Sequence, residues 1–279
     1  MTHYKQFSFK KIGYTNLLQC RGNQIMEQGE RFFLKIVFVK AGGHVVIDFQ
    51  EYHLEEDAFF FISIGQHYWF NEYCNGTLLY YNKDFYCVEI HDKEVACDGI
   101  LFHNVYQVPV VFMNTEVSAM MQNILQQIKD EMEEDEIAIE EMLRTLLKQI
   151  IIKCTRIWKK NNQLDAEELR PKVEFSRTFS QLVERHYIKY HSVAQYAELL
   201  HITPKALNKR ITRYTNTTPN DIIKNRIILE AKRLLAHTPL SIKEISYELG
   251  YEDTSYFTRF FTKHANTSPI NFRTQYLNQ

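Results

Sequence analysis

An internal repeat is the feature that most limits what this 279-residue chain can fold into. Asn216-Thr217-Thr218-Pro219 returns fifty residues later as Asn266-Thr267-Ser268-Pro269, and each copy is preceded by the same arrangement of small and apolar residues. Ala197-x-x-Leu200, a turn and Leu207-x-x-x-Ile211 stand before the first copy; Ser246-x-x-Leu249, Gly250 and Phe257-x-x-x-Phe261 stand before the second. Such a repeat asks for one supersecondary unit built twice, and apolar steps of three and four on either side of a tight turn make that unit a helix-turn-helix.

The helix boundaries can be read from capping chemistry. Ser192 starts the first helix of the first unit, and Thr203-Pro204 supplies an N-cap and a first-turn proline for its second helix. Ser241 with Glu244 three residues on is a capping box, after which Asp253 or Thr254 restarts the chain. Asn216 and Asn266 sit where a helix has to end in a left-handed conformation, and Thr218-Pro219 and Ser268-Pro269 begin the next helix. Between the units, Asp221 to Ala236 reads as one helix of about 24 Å, enough to hold two reading helices roughly one turn of B-DNA apart.

Charge points the same way. The whole chain is nearly neutral, with 33 Lys and Arg against 34 Asp and Glu. From Pro171 onward, however, 16 basic residues face 9 acidic ones, and before it 17 face 25. A basic C-terminal half suits an anionic partner. The exposed positions of the second helix in each unit are Lys205, Asn208, Lys209 and Thr212 in the first, and Ser255, Tyr256, Arg259 and Lys263 in the second. These side chains can reach phosphates and base edges of double-stranded DNA. For Arg259 the competing reading is an ion pair with Asp253 or Glu252.

Residues 1–114 have a different period. Phe32 to Val39, Val45 to Phe49, Ala58 to Ile64, Leu78 to Tyr81, Phe85 to Ile90 and Val105 to Phe112 are short β-branched and aromatic runs. They stop at turn signals such as Gly42-Gly43, Asn75-Gly76, Asn82-Lys83-Asp84 and Asp98-Gly99, which is the pattern of an antiparallel barrel or sandwich. Residues 115–160 then turn helical, with Val117 to Met132 and Ile139 to Trp158 as two amphipathic stripes. The second stripe either lids the β domain's core or forms a dimer seam through Leu143, Leu146, Ile150 and Ile157. A polar linker, 161–172, ends at Arg170-Pro171, and the helical domain occupies 173–279.

Several function classes drop out. No G-x-S-x-G, P-loop or G-x-G-x-x-G motif is present, and no signal peptide or apolar membrane span. Five cysteines without C-x-x-C spacing read as reduced thiols in a cytoplasm. His44, His53, His67, His91 and His103 stand singly, without H-x-H, so neither a metal nor any other cofactor is expected. The aromatic strands could leave room for a small, weakly polar effector, with Tyr68 and Trp69 at the rim, or fill their own interior.

The run Ser241-Ile-Lys-Glu-Ile-Ser-Tyr-Glu-Leu-Gly-Tyr-Glu-Asp-Thr-Ser-Tyr-Phe-Thr-Arg-Phe-Phe-Thr-Lys, with Asn-Thr-Ser-Pro and Phe272-Arg273 after it, resembles the AraC/XylS-type signature of bacterial transcription regulators. The resemblance covers Val173 to the C-terminus and implies that Lys205, Asn208, Lys209, Ser255, Tyr256 and Arg259 read DNA. Asn216 and Asn266 depart from the family's usual Gly, His201 from a frequent Gly, and Ser246 from the usual Ala. Regulators of this kind often carry a cupin-like β domain ahead of the DNA-binding part, and residues 1–160 are similar to it in architecture.

The expected fold is therefore α+β in two domains: a cupin-like antiparallel β-barrel or sandwich with two following helices, then an all-α domain with two helix-turn-helix motifs joined by a long helix. The expected function is a cytoplasmic, effector-responsive activator that binds promoter DNA as a homodimer and, as an activator, meets RNA polymerase. Two alternatives stay open: a β domain that binds a protein partner or only dimerises, and a cupin enzyme fused to a DNA-binding module.

Overall fold

The structure is a computed structural model, and it describes residues 2–17, 33–86, 101–102, 108–134, 137–161, 170–215 and 217–277. The chain divides into two compact units, Met1–Asp165 and Ala166–Gln279.

Unit 1 contains nine described strands: β1 (Thr2–Phe7), β2 (Lys10–Asn16), β3 (Leu34–Val39), β4 (His44–Ile47), β5 (Gln50–His53), β6 (Asp57–Ile62), β7 (Tyr68–Phe70), β8 (Gly76–Tyr81) and β9 (Val110–Met113). Helices α1 (Thr115–Glu133) and α2 (Ile139–Asn161) follow. The strands form a six-stranded sheet in the order β1-β2-β8-β3-β6-β9 and a three-stranded sheet, β5-β4-β7. Every pairing is antiparallel.

The larger sheet is covered on both faces, which is why β3 and β8 are buried along their whole length. Alternation sends Ile36, Phe38, Phe59, Phe61, Leu79 and Tyr81 toward α1 and α2. It sends Val37, Val39, Phe60, Leu78 and Tyr80 toward Val45, Ile47 and Phe70 of the smaller sheet. The three adjacent aromatics Phe59, Phe60 and Phe61 thus divide between two cores. Gly76 opens β8 where a β-carbon would collide with the carbonyl oxygen of Phe38, so the close approach of β8 to β3 needs glycine there.

Four readings of the sequence are corrected by this architecture. Among the described residues the two sheets do not close into a barrel; they stack as layers with the helical pair as a third. The boundary at residue 114 is not a domain boundary, since α1 and α2 belong to the same unit as the sheets. The expected dimer seam is the inner face of a lid: Leu143, Leu146 and Ile150 are 0, 3 and 0% exposed within one chain, and Ile157 packs partly buried beside them. An amphipathic stripe declares an apolar face without saying what covers it, and here the sheet does. Finally, Arg170-Pro171 does not break a helix but begins one, α3 (Arg170–His186), where a first-turn proline loses no hydrogen bond. Of the predicted strand Phe85 to Ile90, the described residues Phe85 and Tyr86 are not in a strand, and the rest lies outside the described residues, as does Asp98-Gly99.

Strands β1 and β2 are not among the expected runs, because Lys5, Lys10 and Lys11 interrupt the apolar pattern there. Ile12 and Tyr14 are buried in the larger sheet's core, while Lys10 reaches Glu140 of α2 at 2.6 Å.

Among the described residues, every regular element of unit 2 is a helix. After α3 come α4 (Val193–Leu199), α5 (Pro204–Thr215), α6 (Pro219–His237), α7 (Ile242–Glu248), α8 (Thr254–Ala265) and α9 (Pro269–Leu277).

Candidate nucleic-acid interface

The two helix pairs α4–α5 and α7–α8 are built by the same local chemistry. Ser192 donates through its hydroxyl and its backbone N–H to Gln195 Oε1, 2.8 and 3.0 Å away, at the start of α4. Ser241 and Glu244 form the predicted capping box: the Ser241 N–H donates to Glu244 Oε2 at 2.7 Å, and the Glu244 N–H to Ser241 Oγ at 3.2 Å. Hydrogen bonding holds the Glu244 carboxyl below its ordinary range. Thr203 Oγ1 accepts from the Ala206 N–H at 3.1 Å, and Asp253 Oδ1 from the Ser255 N–H at 2.7 Å, so both second helices start as expected.

The turns match residue for residue. His201 N–H donates to Glu198 O and Ile202 N–H to Ala197 O; Gly250 N–H donates to Tyr247 O and Tyr251 N–H to Ser246 O. His201 and Gly250 both lie in the left-handed region, at φ 53° and 79°. Gly250 has a second reason to be glycine, because a β-carbon there would strike the Ile188 carbonyl oxygen. Ser246, where the family pattern has Ala, is fully buried at the crossing, and its hydroxyl is satisfied by Lys243 O at 2.8 Å and Thr254 Oγ1 at 3.0 Å. Asn266 ends α8 at φ 55°, as its position in the repeat predicted. Asn216 lies outside the described residues.

Each second helix turns one face inward and the other out. Leu207 and Ile211 of α5, and Phe257 and Phe261 of α8, are fully buried. Lys205, Asn208, Lys209 and Thr212 are exposed on α5, and Ser255, Tyr256, Arg259 and Lys263 are exposed on α8. All eight expected residues therefore face outward, in stripes at steps of three and four. Asn208 also donates to Pro204 O at 3.0 Å. Arg259 makes no ion pair among the described residues, and Asp253 instead caps α8. Arg213, one turn beyond Lys209 on the same stripe, is exposed too; that spacing was the signal that could have added it to the expected set.

Helix α6 joins the pairs and contributes to both cores. Thr218 caps it, accepting from the Asp221 N–H at 3.2 Å, with Pro219 in its first turn. Ile222, Ile223 and Ile227 are buried near its start, Ala231 and Leu235 near its end. Its 19 residues span roughly 28 Å. Arg226 is buried on it and held by Glu184 of α3 and by Glu230. Near its end, Arg273 of α9 donates to the carbonyls of Leu235 and Leu240. Glu184 and Glu230 are thus engaged by buried arginines, whereas Lys205, Lys209, Arg259 and Lys263 form no ion pair among the described residues.

Tyr68 and Trp69, the expected effector rim, point to opposite sides of β7. Tyr68 packs on the inter-sheet core, and Trp69 is 38% exposed on the outer face. They cannot line one concavity.

A family model described as a helix-turn-helix domain matches residues 196–275. The "HTH-type transcriptional activator RhaS" of Salmonella schwarzengrund is 26% identical over 91 residues, covering 33% of this chain and 33% of the relative. The "Histidine kinase P4" of Formosa agariphila is 30% identical over 87 residues, 31% of this chain and 6% of that protein. The chain thus spans a third or less of the length of these relatives. Among solved structures, the C-terminal domain of AraT, a response regulator from Geobacillus stearothermophilus, is similar at 25% identity and TM-score 0.34, covering 36% of this chain and 84% of that one.

Proposed function

The C-terminal unit of this chain is an AraC/XylS-type helix-turn-helix domain, and from that premise we propose that the chain is a transcription regulator that binds double-stranded promoter DNA sequence-specifically. The observation that carries the reading is the pair of outward stripes on α5 and α8, whose Lys205, Lys209, Arg259 and Lys263 form no ion pair among the described residues, set on one connecting helix about 28 Å long. Lys209 and Arg259 are assigned to base edges, with Asn208, Thr212, Ser255 and Tyr256 beside them. Lys205 belongs with this reading set, and Lys263 is assigned to phosphates. The reading gives the chain no reaction to catalyse.

The test is selection of random duplexes by the full chain, followed by retardation of the selected site over a salt series. A sequence should be enriched, and its binding should weaken steeply with salt as phosphate contacts release counterions. No enrichment, and no retardation even at low salt, overturns the reading.

The likeness to an activator supports an activating role through RNA polymerase. The proposed contact with promoter DNA implies a cytoplasmic setting; no helix among the described residues is long and apolar enough to cross a membrane. Unit 1, the two stacked sheets with their helical lid, is assigned a regulatory role. An effector input there would act at the inter-sheet core, where the buried Lys35 ammonium donates to the Phe33 carbonyl at 3.0 Å and stands 5.4 Å from the Tyr68 ring centre. Buried lysines are rare in such cores. Pairing of two chains, if it involves the helical lid, would use its outer face, where Met120 and Met142 are exposed.

A further inference from the structure

We propose that His44, Glu51 and His53 form a binding site for a divalent first-row transition ion of the zinc class, on the outer face of the smaller sheet. The register of the β4–β5 hairpin creates the cluster. His44 pairs directly with His53, and Glu51 sits two residues before His53 on the same face. A sequence scan for H-x-H misses this arrangement because the ligand set is divided between two strands. The turn that sets the register is itself fixed: Asp48 lies at φ 53°, and its carboxylate accepts from the His67 N–H and the Gln66 side chain, each at 3.1 Å.

The distances suit a small cation. One ligand atom from each residue can be chosen so that all three lie within 4.8 Å of one another. Glu51 Oε2 is 3.4 Å from His44 Nε2 and 3.9 Å from His53 Nε2. Two ligands on a tetrahedral zinc are separated by roughly 3.3 Å, given bonds of about 2.0 to 2.1 Å. The imidazoles lie nearly parallel, centres 4.2 Å apart, and His53 is exposed enough to turn its lone pair toward the ion.

His44 Nε2 supplies the independent observation. It is covered by its neighbours yet makes no hydrogen bond, an unsatisfied buried donor or acceptor of the kind a ligand would satisfy. Two imidazoles and a carboxylate without thiolate select zinc, cobalt, nickel or copper over magnesium and calcium, which prefer oxygen ligands throughout. Three protein ligands at the surface leave a coordination position for water or for a group from outside. The Trp69 ring, edge-on to His44 with centres 5.7 Å apart, is a built-in reporter.

The experiment uses the full chain, stripped with chelator and titrated with Co(II) and then Zn(II). One equivalent of cobalt should give a visible ligand-field band without a near-ultraviolet thiolate band, and zinc should bleach it while magnesium does not. In a Trp158→Phe background, Cu(II) should quench the remaining Trp69 emission. His53→Ala and Glu51→Gln should each weaken binding by more than about tenfold, because losing a direct ligand exceeds the tenfold or greater effect of losing a supporting partner. Both residues are exposed, so the metal-free melting curve should not move. Glu55→Gln and Glu56→Gln, exposed nearby, should bind as wild type. A thiolate band, affinity unchanged in both ligand variants, or no cobalt binding at all would each overturn the assignment.

Discussion

Glu184 and Arg226 meet fork to fork across two helices: Arg226 Nε donates to Glu184 Oε2 at 2.6 Å and Nη2 to Oε1 at 2.9 Å. The guanidinium also donates to Glu230 at 2.9 Å and stands 3.9 Å above the centre of the Tyr187 ring. Burial alone would discourage its charge, but the two carboxylates hold it ionised, above the ordinary arginine value. Burial also pushes the Tyr187 phenol up to about 12. The contact ties α3 to the helix that both helix pairs share.

Arg226→Ala should therefore destabilise unit 2 strongly. Removing one partner of a fully buried pair costs about 3 to 5 kcal/mol. Glu184 and Glu230 keep some solvent access, so the loss should fall toward the low end of that range. Glu184→Gln should cost less, on the order of 1 to 3 kcal/mol, because Glu230 remains. Urea melts of the two variants decide; equal stability to wild type for Arg226→Ala would show that the pair is not structural.

Arg259 and Lys263 should differ in kind. Arg259→Ala should cost about 1 to 3 kcal/mol on the selected site and relax preference at one or two base pairs. Lys263→Ala should weaken selected and random DNA equally and flatten the salt dependence by about one counterion. Equal losses on both DNAs for Arg259→Ala would move that residue to the phosphate group.

Putting glutamate at Leu146 and Ile150 should unfold unit 1 rather than release a folded monomer. Each wild-type side chain is nine-tenths or more buried on the sheet and contributes about 1.5 to 3 kcal/mol by that burial, before the larger penalty of an unpaired buried charge. Circular dichroism melts with light scattering distinguish the outcomes. A folded monomer would restore the seam reading.

His191 predicts a pH dependence. Its ring packs on Tyr251, centres 4.6 Å apart, and burial holds its pKa below the ordinary 6.5 despite opposing backbone hydrogen bonds. In the unfolded chain it takes up a proton near its ordinary value, while the native state resists. Stability is thus fully present above pH 6.5 and declines as pH falls toward the native pKa, at no more than about 1.4 kcal/mol per pH unit for one group. His264, also lowered, adds a slope of the same sign. Urea melts between about pH 7.5 and 5.5 should show a shallower slope for His191→Phe, whatever its absolute stability. An unchanged slope rules His191 out as a contributor.

Local chemistry in unit 2 was legible because each signal acts within a few residues. The Ser241–Glu244 box, the Asp253 cap and the left-handed Asn266 follow from side chains bonding the adjacent backbone. What covers a face is set by residues far away in sequence, and there the reading failed. Leu146 shows its apolar side equally to a sheet or to a second chain, and Lys10 and Lys11 break the apolar pattern of the strand that buries Ile12. His44 and His53 meet only through a hairpin register, which no spacing along one strand reveals.

Since α6 lends side chains to both cores, on the proposed reading neither α5 nor α8 can shift along DNA without dragging the other. The helix is a ruler. One base pair inserted between two half-sites displaces the second by about 3.4 Å and turns it by roughly 35°, and the protein has no hinge within α6 to absorb either. The DNA must bend or one helix must let go. A promoter recognised in this way would be read for the distance between its sites as stringently as for the bases within them.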